Sequence, residues 1–180
     1  MLRCWPVAYF SDLTPYCYFK DMPAAKNIGW LQRGYGFDTI APSEETLDLL
    51  WRFCQVPIMQ TRGSHQCDLC PTPSTVTAVR NGVELLLGSA EIRVFSKESN
   101  TSVLRRELGQ KESSGLFFFG KSPVTGSVFA APSLIYHYVE THHYKPRDEF
   151  LHAMKEGPKP PDPEYFEHLR KLSLKWTQRS

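Results

Sequence analysis

Two thiols separated by two residues, Cys67-Asp-Leu-Cys70, are the sharpest chemical feature of the chain, and His65 stands just before them. On a tight turn, two thiolates at this spacing can both point at one metal ion. The rival use of Cys-x-x-Cys is a redox dithiol, which needs a helix N-terminus to lower the pKa of its first thiol. Here Pro71 and Pro73 follow the second cysteine and no βαβ pattern surrounds the pair, so a metal knuckle is favoured, with inert thiols next and a redox pair last.

Two thiolates cannot close a tetrahedral site, and histidine is the usual complement. His137, His142 and His143 fall together on a later segment that reads as a helix. Four residues separate His137 from His142 and five separate it from His143, both within the spacing of structural zinc pairs. A regular helix places residues five apart on different faces, so the helix is expected to tighten or end near Thr141. The expected ligand set is His65, Cys67, Cys70, His137 and His142. The expected ion is zinc, which suits mixed thiolate and imidazole donors. Four side chains would make it structural. If His65, Cys67 and Cys70 bound alone, a water could take the fourth place and the ion could be catalytic. The competing reading of His137 is a core histidine beside Tyr136 and Tyr138; that of His142 or His143 is a solvated helix end favoured by the dipole.

The elements that must position these groups read as α+β: a small antiparallel sheet with packed helices around the knuckle, in an order that resembles a treble clef with an insertion. Segments 16–19 and 27–31 look like short strands or ordered loops. Ser43 can cap a helix from Glu44 to Cys54. Leu47, Leu50, Trp51 and Cys54 recur on one face of it, which makes Cys54 a core thiol. Thr75 to Val79 and Val83 to Leu87 flank Asn81-Gly82, a strong hairpin signal. Ala90 to Phe95 alternates as a further strand, and Val128 to Ala131 can return to the sheet. Between them, 96–126 is polar around the apolar patch Leu116 to Phe119 and reads as an inserted hairpin or mobile loop. Pro132 and Ser133 open a helix from Leu134 to about His142. Pro146 begins another, Arg147 to Lys155. The expected organisation is one domain over 1–156, a stiff proline-rich linker over 157–161, and an amphipathic helix within 162–180. In that helix Asp162 caps, Pro163 starts, and Tyr165, Leu169, Leu172 and Trp176 dock on the domain.

Composition narrows the function classes. Of 180 residues, 41% are hydrophobic and 13% aromatic, enough for a packed core. A net charge of +2 gives no electrostatic footprint for nucleic acid. No run approaches the ~18 apolar residues of a membrane span, and Trp5-Pro6 interrupts anything like a secretory leader. A cytoplasmic, reducing setting is therefore expected, with the five cysteines as thiols or metal ligands rather than disulfides. No internal repeat, Gly-x-Ser-x-Gly elbow or phosphate-binding glycine loop is present.

Four motifs resemble a family of short, uncharacterised bacterial proteins: Asn27-x-Gly-Trp-Leu31, the knuckle Arg62-Gly-x-His-x-Cys-x-x-Cys70, Gly88-Ser-Ala-Glu-Ile-Arg-Val94, and the helix Ala131-Pro-x-Leu-Ile-Tyr-His-Tyr-Val139. The resemblance runs from about Phe10 to Met154. It implies a bacterial cytoplasmic protein and carries no activity with it. The leading expectation is a zinc-stabilised interaction module with a protein partner, with a toxin-neutralising, immunity-type role as one form of it. The second is a zinc hydrolase or deaminase-like enzyme using Glu91 or Glu140 as base, although the His-x-Glu and Pro-Cys-x-x-Cys of zinc deaminases are absent. The third is a nucleic-acid binder using Arg62, Arg80 and Arg93.

Overall fold

The first helix forms where its cap and apolar period put it. In the computed structural model, which describes residues 9–17, 25–97 and 126–177, α1 spans Glu44–Cys54 and the Ser43 side chain accepts the Thr46 amide. One orphan donor of the first turn is thereby satisfied. Leu47, Leu50, Trp51, Phe53 and Cys54 are buried. The Cys54 thiol donates to the Ser133 carbonyl at 3.7 Å, and burial pushes its pKa up to about 12.

The chain is α+β. After a short β1 (Lys26–Asn27) and α1 come β2 (Thr77–Arg80), β3 (Val83–Leu86), β4 (Glu91–Phe95) and β5 (Val128–Pro132), then α2 (Ile135–His142), α3 (Asp148–Glu156) and α4 (Pro163–Lys171). β2 and β3 form the expected hairpin, in register from Thr77 with Leu86 to Arg80 with Val83. Asn81 and Gly82 both take positive φ, 51° and 76°, as a two-residue hairpin turn requires. β4 and β5 pair antiparallel, from Glu91 with Pro132 to Phe95 with Val128. β1 adds to β5 in parallel, giving the order β1-β5-β4. The Ser96 amide continues the ladder to the Ser127 carbonyl at 2.9 Å. The expected insertion thus leaves and returns at adjacent strand ends; apart from residues 96, 97 and 126 it lies outside the described residues, as do residues 18 and 19 of the segment over 16–19.

β4 departs from the simple reading of its alternation. Period-two patterning would send Glu91 and Arg93 to solvent, yet all five residues of the strand are buried. The two charges share a face and neutralise each other: Arg93 Nη1 lies 2.6 Å from Glu91 Oε2. The Tyr16 hydroxyl donates to the same carboxylate at 2.7 and 2.9 Å, and the guanidinium stacks over the Tyr16 ring at 4.8 Å. Burying such a pair is tolerable only with this degree of pairing. Aromatic edges fill the rest: Trp51 on Tyr136, Phe53 and Phe95 on Tyr165, Phe129 on Phe150.

Several boundaries and one redox state differ from expectation. α3 starts at Asp148, with Arg147 in the N-cap position. Residues 157–161 pack against the fold: Gly157, Pro158 and Pro160 are buried, and a Cβ on Gly157 would lie 1.9 Å from the Phe95 carbonyl oxygen. Asp162 occupies the N-cap of α4 without a side-chain hydrogen bond. That helix stops at Lys171 because Ser173 takes a positive φ of 56°. Tyr165 and Leu169 remain buried, while Trp176 leaves the helical face and bridges to Ile58; residues 178–180 lie outside the described set. Cys17 is disulfide-bonded, contrary to the expectation that the cysteines are thiols or ligands, since an odd total does not prevent one bridge.

Candidate metal centre

The knuckle is held by backbone and by an arginine. The Cys67 amide donates to the Ser74 carbonyl at 3.3 Å and the His65 amide to the Gly88 carbonyl at 2.9 Å. Gly88 is required at that contact: it has a φ of 85°, and a Cβ there would sit 2.3 Å from the His65 carbonyl oxygen. Arg33 reaches across from the N-terminal segment. Its Nε donates to the Asp68 carbonyl at 2.6 Å, its Nη2 to the Cys70 carbonyl at 2.5 Å, and its amide to Asp68 Oδ2 at 3.1 Å. Neither the arginine nor the glycine is marked as part of a site by any local motif.

The histidines come from α2 and its end. The helix runs to His142, and His143 follows in the left-handed conformation with φ 56°. At 3.6 residues per turn, positions five apart differ by about 140° around a regular helix. Ending the helix at His142 relaxes that constraint, and the backward tilt of helical side chains turns the imidazole toward His137. The two rings lie 5.0 Å apart and nearly perpendicular.

These elements bring Cys67, Cys70, His137 and His142 together, with one ligand atom from each lying within 4.8 Å of all the others. Cys67 Sγ is 3.3 Å from His142 Nε2. Cys70 Sγ is 3.3 Å from His137 Nε2 and 3.5 Å from His142 Nε2. Tetrahedral bonds of about 2.3 Å to sulfur and about 2.0–2.1 Å to nitrogen imply S···N separations of about 3.5 Å. Three of the donor pairs therefore already stand near the edge length of such a tetrahedron. His137 Nδ1 lies 3.1 Å from Thr141 Oγ1; donation of its N–H there leaves the Nε2 lone pair facing the thiols, the usual support for a ligating imidazole. Cys67 and His137 are buried, Cys70 and His142 half-buried. Burial pushes the Cys67 thiol up to about 11. Burial, then the neighbouring His142, holds His137 down to about 4. The four could bind a metal ion, and they fit one closed by side chains alone.

His65 is not one of the four. It is exposed, and its amide serves the Gly88 contact. His143 caps the helix. Glu91 is engaged by Arg93 and Tyr16, and Glu140 accepts the Tyr136 hydroxyl at 2.9 Å. Arg80 is tied to Glu44 and Asp48 at 2.8 and 2.5 Å, and Arg93 is inside. Among the described residues no helix is long and apolar enough to cross a membrane.

Fold and site together define an α+β domain with a cysteine–histidine cluster able to hold one metal ion. The chain belongs to the family described as Domain of unknown function (DUF7919), whose model matches residues 8–105 and 107–155, taking in all four donors. No curated protein and no solved structure matches it.

Proposed function

We propose that this chain is a zinc-stabilised binding module, in which Cys67, Cys70, His137 and His142 hold a structural zinc that staples the knuckle to the end of α2. The observation that carries this reading is the set of S···N distances between thiols from one loop and imidazoles from a distant helix. Two thiolates and two imidazoles at tetrahedral spacing favour zinc over harder or planar-coordinating ions. A site closed by four side chains has no open position for water, which catalytic zinc keeps. The two candidate bases, Glu91 and Glu140, are engaged elsewhere, which also supports a structural ion. Nucleic-acid binding loses two of its three arginines to internal partners.

Metal analysis of the purified protein tests the assignment. One zinc per chain is expected, lost in Cys67→Ser, Cys70→Ser and His137→Ala and kept in His65→Ala. Zinc retained by His137→Ala but lost from His65→Ala would overturn the ligand set.

A further inference from the structure

Three cysteines remain thiols among the described residues, and they differ in access: Cys54 and Cys67 are buried, whereas Cys70 is half-buried. A reagent dissolved in water therefore meets Cys70 first. The Arg33 guanidinium donates to the Cys70 carbonyl at 2.5 Å and sets a positive charge beside that residue. A partly exposed cysteine in an electropositive setting is the kind that reacts as a thiolate. Its neighbour is placed to follow: the amides of Leu69 and Cys70 face the Cys67 sulfur, and that sulfur lies within 4.8 Å of the Cys70 sulfur. Two sulfurs on one turn need close only a short gap to the ~2.05 Å of an S–S bond.

A dithiol that cycles in catalysis needs a helix N-terminus, and this knuckle has none. Oxidation that ejects a metal needs less: one reachable sulfur, a second beside it, and an ion that depends on both. Two of the four donors here are the sulfurs of the knuckle and two are imidazoles of α2. Joining the sulfurs leaves half of a tetrahedral set.

We propose that Cys67 and Cys70 form an oxidation site for hydroperoxides, and that its oxidation releases the metal and frees the knuckle from α2. The proposal assigns a regulation to the site of the preceding reading and rests on that reading. The Cys70 thiolate attacks one oxygen of hydrogen peroxide; an S–O bond forms, the O–O bond breaks and hydroxide leaves. The Cys67 thiolate then attacks the sulfenic sulfur; the S–S bond forms, the S–O bond breaks and a second hydroxide leaves. Two electrons pass from the sulfurs to the peroxide. The zinc ion keeps its charge and departs from the two remaining imidazoles.

The test is titration of the intact protein with hydrogen peroxide, after its zinc content has been measured. Released zinc is read with a chromogenic chelator, and the cysteines are mapped by mass spectrometry. One zinc and one Cys67–Cys70 disulfide are expected per peroxide consumed, with Cys54 still a thiol. Dithiothreitol and added zinc should restore the loaded form. Dimedone present during the reaction should label Cys70 at least about tenfold more than Cys67, because sulfenic acid forms where the thiolate is accessible. Zinc release without that disulfide, oxidation of Cys54 at the same rate, dimedone chiefly on Cys67, or zinc retained under a large excess of peroxide would overturn the proposal. Zinc retained against peroxide ends this inference alone, whereas a protein that neither holds zinc nor takes it up ends the structural-zinc reading and this inference with it.

Discussion

Removing the ion is the most decisive perturbation, because two accounts of the same four side chains differ in size. If they ligate zinc, the ion contributes on the order of 10 kcal/mol of folding free energy. If they form only thiol–imidazole hydrogen bonds, each is worth about 1 kcal/mol net. The knuckle has little apolar burial to hold it: across residues 61–74 Cys67 is the one buried residue. For a chain of this length 1 kcal/mol corresponds to about 2–4 °C in melting temperature. Zinc ligation therefore predicts a fall of about 20–40 °C on chelation, against a few degrees for hydrogen bonds. Since domains have only about 5–15 kcal/mol in total, the stripped protein should be largely unfolded at physiological temperature. The assay is thermal denaturation followed by circular dichroism, before chelation, after it, and after adding back one equivalent of zinc, with metal content verified at each stage. A verified metal-free protein that melts within a few degrees of the parent would refute the reasoning.

Arg93→Met should cost about 3–5 kcal/mol, because it leaves Glu91 buried without its partner; adding Glu91→Gln should restore most of the loss in denaturant titrations, and an additive double variant would sink the pairing argument. Gly88→Ala should cost about 1–3 kcal/mol as the knuckle yields to the new methyl group, with a measurable drop in zinc retention; parental stability would show that the contact with His65 is soft. Alkaline pH should unfold the protein in step with tyrosine ionisation. Burial raises Tyr16 and Tyr165 above the ordinary tyrosine value; the Glu91 charge raises Tyr16 further, while Arg93 opposes the rise in both. Their contribution is complete below the unfolded value of about 10 and is lost as pH rises beyond it. Tyrosinate absorbance from these rings well before loss of structure would contradict that sign.

Part of the site is legible from local chemistry. Cys67 and Cys70 stand on one turn, and the spacing of His137 and His142 marks a pair, including the need for the helix to end nearby. What local pattern cannot supply is what arrives from far away. Arg33 grips the knuckle through backbone carbonyls, which leave no trace in side-chain spacing. Tyr16 meets Glu91 across 75 positions, and without it the alternation Glu91, Arg93 reads as a solvent face. His65 joins the candidate set by adjacency, yet the fold uses its backbone, because Gly88 on the opposite turn needs that amide. The amphipathic period of the last helix runs on in sequence through Leu172, but the positive φ at Ser173 redirects Trp176 to the strand-like Ile58, a tertiary contact that outweighs helical propensity.

Under the proposed reading, the ion would fix the shape of the knuckle. A loop with one buried residue cannot fix its own shape by apolar burial, so Asp68 would wander relative to Ser89 and Glu91 if only the Arg33 contacts held it. The latter two residues sit at the start of β4, clamped by Ile58 and β5. Under the zinc reading, the β4 side would be held by packing and the knuckle by coordination. Stepwise chelation checks this: β-sheet content should fall in step with the metal content, and a sheet that outlives full removal of the metal would show that packing alone holds the knuckle.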